Sequence, residues 1–417
     1  MTGKPRDFSD LAVEARPALS DADLPEVCVI VVNCDGRSMT ERCLETLGKS
    51  DYPSAKVKVV VVDNGSQDGS VAWLQRKHPD VHVVANDRNL GFTPACNQGA
   101  AAAGEASVLV FLNNDVRVEA AWLRELVSPV ARGDCAATGA QMLNSSGERL
   151  DHAGGGTNFH GIAVASGYGE VPGPEHKVPR KCLFACGGAM AMDTKAYHAI
   201  GGFDDEFFAY YDDLDIGWRT NLAGYEVHYA PKAICSHDHS GTSRRFPKEQ
   251  IRLLQVRNAL LCCVKNYGDR FFDALWPTIL SVAVRRQWVF TRITDVSEFR
   301  IEDANVRQAA GPAARAKRAA LSTLGLGGTY PLDRIAMGDL IGINDVLGNW
   351  NHWMEVRAKV QTLRKTPDED LFPLFENPLW CIEGEKGYVE IQEAMLRRAG
   401  VWDLLKSHER EGPEPFK

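Results

Sequence analysis

The sequence predicts an α/β fold in which a parallel sheet, flanked by helices, is followed by a mainly α-helical C-terminal region. Three observations carry this. Short apolar runs rich in β-formers alternate with helix-like stretches over the ~120 residues that follow the N-terminal arm. Each of those runs ends in polar, turn-forming residues, which a parallel sheet would gather along one edge. From residue 246 onward the apolar spacing reads as helices, at residues 251–266 and 271–290.

Residues 1–24 lack the apolar stretch of a signal peptide and read as a flexible arm. Residues 27–32 form a buried strand ending in Asn33-Cys34-Asp35-Gly36, and Ser38 caps a helix through Leu47. A second strand, 56–62, ends in Asp63-Asn64-Gly65-Ser66, and Ser70 starts a helix through Lys77. A third, 81–85, leads into a turn containing Asn89, and a helix follows over 93–103. Residues 108–112 are uninterrupted apolar residues, as in a strand buried on both faces, and they deliver Asn113-Asn114-Asp115. A helix over 119–130 precedes a less regular region from 135 to 143 and Gly- and Pro-rich loops with short hairpin strands over 154–173. Residues 181–192 are apolar with two glycines, and Gly188 either lets a sugar approach the backbone or forms a bulge. A helix over 212–222 is closed by Gly224. Strands at 226–230 and, after Pro231, at 232–235 end in Ser236-His237-Asp238-His239.

The strand ends carry the candidate chemistry. Asp35, Asp63, Asn89 and Asp115 should converge in a nucleotide cleft. Asp115 leaves a rigid strand as a hard oxygen ligand, suited to Mg²⁺ or Mn²⁺ carrying a diphosphate. Asp63 either accepts the ring N–H of uracil or thymine or caps the Asn64-Gly65 turn. No G-x-G-x-x-G opens the first helix and no G-x₄-G-K-[ST] occurs, which argues against NAD, FAD and P-loop chemistry. In the acidic helix, Asp212, Asp215 and Arg219 share a face while Asp213 points about 100° away. Asp215 and Arg219 therefore read as a structural ion pair, and Asp213 is left to face the cleft. First-turn acids suit the helix dipole and should stay ionised. His237 and His239 either complete a metal site or belong to a surface loop.

The formal net charge of −8 argues against a nucleic-acid partner. Eleven cysteines, an odd number without a paired framework, fit reduced thiols in the cytoplasm. No run of 18 apolar residues exists to span a membrane. Arg285, Arg286 and Arg292 near a helix end suit either the inner face of a membrane or packing on the catalytic domain or another subunit. Residues 309–329 read as a mobile loop closing over substrate. Trp350, Trp353, Trp380 and Trp402 suggest apolar packing or a homodimer interface.

Residues 29–33, 59–70 (VVVVDNGSQDGS), 89–99 (NLGFTPACNQG), 110–116 (VFLNNDV) and 201–219 together resemble the family 2 glycosyltransferases of GT-A fold. The likeness is to their rhamnosyl- and galactofuranosyltransferase-like branch. Residues 221–225, His237 and the Arg257-Asn258 pair extend it over roughly residues 26–270. It implies a Rossmann-like nucleotide-diphosphosugar transferase domain over 25–245 and a helical region over 246–417. The implied reaction is inverting transfer from a UDP- or dTDP-sugar to a hydroxyl of a glycan or lipid-linked acceptor, with Mg²⁺ or Mn²⁺. The resemblance places the base contact on Asp63, the metal-binding Asp-x-Asp on Asn113 and Asp115, and the metal's histidine on His237, with His239 as the alternate. It places the general base on Asp213, beside Asp212. Asn113 departs from the full motif, since an amide is a neutral ligand, so Asp115 and His237 become the main anchors. Asn33, Asp35, Asn89 and Asn114 complete the expected donor side, and Gly188 and Trp218 the acceptor side. Two competitors are a catalytically silent nucleotide-sugar or glycan-binding subunit and a sugar-nucleotide nucleotidyltransferase. The latter needs a Gly-rich, basic loop after the first strand, where residues 33–38 supply one Gly and one Arg.

Overall fold

The computed structural model describes residues 7–238, 246–291, 334–380 and 386–410. Its first half alternates β1 (Val27–Asn33), α1 (Arg37–Leu47), β2 (Val57–Asn64), α2 (Ser70–Lys77), β3 (His82–Asn86), α3 (Phe92–Ala101) and β4 (Val108–Asn113). β1 pairs in parallel with both β2 and β4, and β2 with β3. The Val- and Ile-rich β1 is covered on both faces, which is why it reads as a continuous apolar run.

The rest of the sheet departs from the all-parallel expectation. After β5 (Val116–Val118) and α4 (Trp122–Ala131) come β6 (Ala137–Asn144) and β7 (Leu150–His152). The small hairpin β8 (Gly155–Thr157) and β9 (Ala163–Ala165) follows, then β10 (Arg180–Cys182), β11 (Ala189–Asp193) and α5 (Thr194–Ala199). The main path runs β10-β12-β6-β11-β4-β1-β2-β3, where β12 is Val227–His237. β11 lies antiparallel between β4 and β6, so the sheet is mixed. Residues 135–143, expected to be irregular, supply the interior strand β6, because burial between β11 and β12 overrides the weak β-propensity of Ala137, Gly139 and Ala140. The two strands expected around Pro231 are one strand. Its register against β6 shifts between Ala230 and Ile234, and the irregularity accommodates a residue with no N–H.

α6 (Asp212–Leu222) joins the sheet to the C-terminal helices α7 (Lys248–Asn266), α8 (Asp269–Thr291), α9 (Arg334–Gly348), α10 (Trp350–Gln361), α11 (Asp368–Leu371), α12 (Lys386–Arg398) and α13 (Trp402–Ser407). Leu214, Trp218 and Leu222 of α6 share one apolar core with Leu260 and Leu261 of α7 and with Phe375. Trp218 was expected on the acceptor side, but it is 0% exposed, its ring 5.0 Å from Tyr267 and 5.3 Å from Phe375. Its surface is spent on packing. Trp350 likewise packs within the chain, 5.3 Å from Trp276, and Trp353 is buried.

The described part of the N-terminal arm is pinned rather than free. Leu11 is buried in the helical core, and the Val13 N–H donates to the Pro179 carbonyl at 2.9 Å. Arg410 grips both Asp10 oxygens at 2.7 Å each. Residues 309–329, Arg292 and His239 lie outside the described residues. Among the described residues no helix is long and apolar enough to cross a membrane.

Candidate active site

Strand pairing builds the metal-like corner. The chain turns sharply after β4 and returns as β5, which pairs antiparallel with the end of β12, Val116 opposite His237. That register sets Asp115, the residue before Val116, beside the imidazole: His237 Nε2 lies 3.3 Å from Asp115 Oδ1. On the other side of the ring, His237 Nδ1 donates to Asp151 Oδ2 at 2.8 Å. Asp151 comes from β7, whose pairing with β6 carries it to β12. Burial works against charging this imidazole, but the Asp115 and Asp151 carboxylates raise it to about 9. The corner is braced from behind, where the Asp238 N–H donates to the Asp115 carbonyl at 2.9 Å and Arg117 holds the Asp238 carboxylate at 2.9 Å.

A carboxylate oxygen and an imidazole nitrogen thus face each other, with a second carboxylate anchoring the far ring nitrogen. This is a donor set that fits a divalent cation, and the outer carboxylate is the usual device for orienting a metal-bound histidine.

The polar strand ends also meet, through a hydrogen-bonded rim. The Asn33 amide donates to Asp63 Oδ2 at 2.8 Å, and the Asn114 amide donates to Asn33 Oδ1 at 2.9 Å. Asn64 donates to Asn89 Oδ1 at 3.0 Å, and Asp35 Oδ1 accepts the Gln67 N–H at 2.6 Å. Asp63 is 0% exposed, and its other oxygen accepts the Ser66 N–H at 2.9 Å. The turn-capping geometry weighed for Asp63 is therefore present, and the carboxylate forms the floor of the rim.

Gly187 and Gly188 join this rim to the acidic helix. The Gly188 carbonyl accepts the Asn113 N–H at 2.9 Å, and a Cβ on Gly188 would stand 2.8 Å from the Asn113 side-chain nitrogen. The close approach that this glycine permits within the chain is to Asn113. A Cβ on Gly187 would lie 3.5 Å from Asp212 Oδ2 and 3.6 Å from the Asp213 Cβ.

At the start of α6 the expected division of labour holds for one pair. Arg219 Nη2 sits 2.7 Å from Asp215 Oδ2, and Lys265 of α7 reaches Asp215 Oδ1 at 2.9 Å. Burial would raise the Asp215 carboxyl, but these two cations hold it low. Asp212 and Asp213 differ. Burial pushes both upward, and the Asp213 charge adds to the rise at Asp212. At Asp212 desolvation works against the dipole, whose terminal effect is about 0.3–1 kcal/mol, and the carboxyl is pushed up rather than down. Asp213 Oδ1 accepts the Leu214 N–H at 2.9 Å, and the residue keeps partial exposure.

Residues 26–201 match the family described as Glycosyl transferase family 2. The matched residues resemble a family 2 glycosyltransferase domain. The match stops short of Asp213 and His237, so α6 and β12 complete the candidate site of this glycosyltransferase domain from beyond it. The O-antigen biosynthesis protein RfbC of Myxococcus xanthus is 28% identical over 230 residues, 53% of this chain but 18% of that protein. An N-acetylglucosaminyl-diphospho-decaprenol L-rhamnosyltransferase of Mycobacterium tuberculosis is 25% identical over 255 residues, 55% of this chain and 82% of that protein. The crystal structure of GalNAc-T7 with UDP, GalNAc and Mn²⁺ superposes with a TM-score of 0.50 at 17% identity, covering 63% of this chain and 52% of that one. The fold of the glycosyltransferase domain is GT-A.

Proposed function

We propose that the chain is an inverting, metal-dependent glycosyltransferase that moves a sugar from a nucleotide-diphosphosugar to a hydroxyl of a glycan or lipid-linked acceptor. The observation that carries this is the convergence of Asp115 and His237 on one rim that the Gly187-Gly188 turn connects to Asp213. The donor lies along the Asn33–Asp63–Asn114 rim with its diphosphate toward Asp115. UDP- and dTDP-sugars are the donors proposed, their base seated over the Asp63 floor.

Asp115 and His237 would hold the cation, and the mixed oxygen–nitrogen donor set favours Mn²⁺ over Mg²⁺, which prefers oxygen ligands and water. When bound, such an ion neutralises the negative charge that develops on the departing diphosphate. Asp151 keeps the His237 Nδ1 protonated, so that Nε2 is the nitrogen presented. Asp213 takes the proton of the acceptor hydroxyl as that oxygen attacks the anomeric carbon from the face opposite the diphosphate, which inverts the centre. Burial suits Asp213 to this work by moving its carboxyl from the ordinary range toward working pH, where a base is most effective.

Asp213→Asn should lower kcat about 10²–10⁴-fold, the usual worth of a general base, while the donor dissociation constant measured by calorimetry stays near its original value. Near-normal turnover in that variant would refute the base assignment.

A further inference from the structure

The segment between Asp204 and α6 holds three bulky residues in the left-handed region: Phe208 at φ 64°, Tyr210 at 68° and Tyr211 at 63°. Aromatic side chains rarely adopt such angles, and a run of them persists only where the surroundings impose it. The residue that imposes it lies on α7. The Asn258 side-chain nitrogen donates to the carbonyls of Phe207, Ala209 and Tyr210 at 3.0, 2.9 and 2.8 Å. An amide carries two hydrogens, so three acceptors share them and all three peptide planes are set by one group. Asn258 is 0% exposed. Its own oxygen accepts from Arg257 Nε at 3.0 Å, and the Arg257 guanidinium donates to the Glu206 carbonyl.

The constraint runs straight into the acidic pair. The Tyr211 carbonyl accepts the Asp215 N–H at 2.9 Å, so the last strained residue opens the helix that begins with Asp212 and Asp213. On its other side the turn is fixed to the donor half. The Phe208 carbonyl accepts the Phe92 N–H at 2.6 Å, and Gly91, at φ 104°, leaves room for the Phe208 ring where a Cβ would come within 2.7 Å.

We infer that Asn258 is a positioning residue for the transfer reaction: it holds the Phe207–Tyr210 backbone in its strained form and thereby sets where Asp213 stands relative to the donor rim. The inference rests on the reading of Asp213 as the base. Asn258 touches no substrate, so its effect must appear in the chemical step rather than in donor binding.

The test is a double-mutant cycle of Asn258→Ala with Asp213→Asn, with Asn258→Ser, which retains one donor, as the second variant should the alanine protein not fold. Misplacing a catalytic group by about an ångström costs on the order of 10²-fold. Asn258→Ala should therefore lower kcat by about 10–100-fold, while the donor KM and the Mn²⁺ dissociation constant change less than about threefold. In the Asp213→Asn background the same change should cost little more, because two residues acting through one group are not additive. A folded Asn258 variant with normal kcat, a parallel loss of donor binding, or a full additional loss in the Asp213→Asn background would each overturn the inference. Normal turnover of Asp213→Asn beside a slow Asn258→Ala would instead sink the base assignment and show that Asn258 positions some other group.

Discussion

If His237 is a ligand as proposed, a Mn²⁺ ion binding near neutral pH has to displace a proton from an imidazolium, because Asp115 and Asp151 raise its titration to about 9 despite burial. The charged form dominates below that value, so binding must expel one proton. The apparent Mn²⁺ affinity should therefore climb with pH by up to about tenfold per unit and level off only as pH passes about 9. Titration by electron paramagnetic resonance at several pH values below 9 would show the slope, and a flat profile would mean that His237 is not a ligand. Asp212 makes the complementary point. Its place in a helix first turn is legible in the sequence, but its elevated titration is not, because desolvation depends on what covers it.

At the scale of single elements, β7 has an importance out of proportion to its length. It brings Asp151 to His237 across 86 positions of sequence. Asp151→Asn should weaken Mn²⁺ binding about 10–100-fold, as loss of an outer partner of a metal-bound histidine typically does, with the thermal midpoint little changed. An unaltered Mn²⁺ dissociation constant would remove Asp151 from the site. The same strand marks the boundary of what the sequence discloses. Asn113–Asp115 and Asp212–Asp213 are legible because each is a polar break adjoining an apolar or helical pattern that is itself local. β6 and β7 are not, since Ala137-Thr138-Gly139-Ala140 show no alternation and become strands only through their neighbours. Asp151 accordingly carries no local signal, and Asn258 reveals its role only once α7 lies against the 207–210 backbone. His237 could be singled out at a strand end, whereas the register that sets it opposite Val116 could not.

For the whole molecule, the expected boundary between a catalytic domain ending at 245 and a helical region beyond it cuts through a shared core. Leu214, Trp218 and Leu222 are each 0% exposed against the C-terminal helices. Removing those helices would also take Lys265 and Asn266 from Asp215, leaving Arg219 as its side-chain partner among the described residues. Exposing a buried Trp or Leu forfeits about 1.5–3 kcal/mol each, comparable in sum with the stability of a whole domain. Residues 25–245 expressed alone should therefore be insoluble or lack cooperative unfolding by circular dichroism. A soluble, cooperatively melting fragment would show that the helices are an accessory.

Arg410 clasping Asp10 has a practical consequence for anyone handling this protein. Positions four hundred residues apart in sequence are buckled together, so trimming near either one removes a tie from the other, although Leu11 and the Val13–Pro179 bond still hold the arm. Tags, linkers or fusion partners are better attached outside that clasp than between it and the body it fastens.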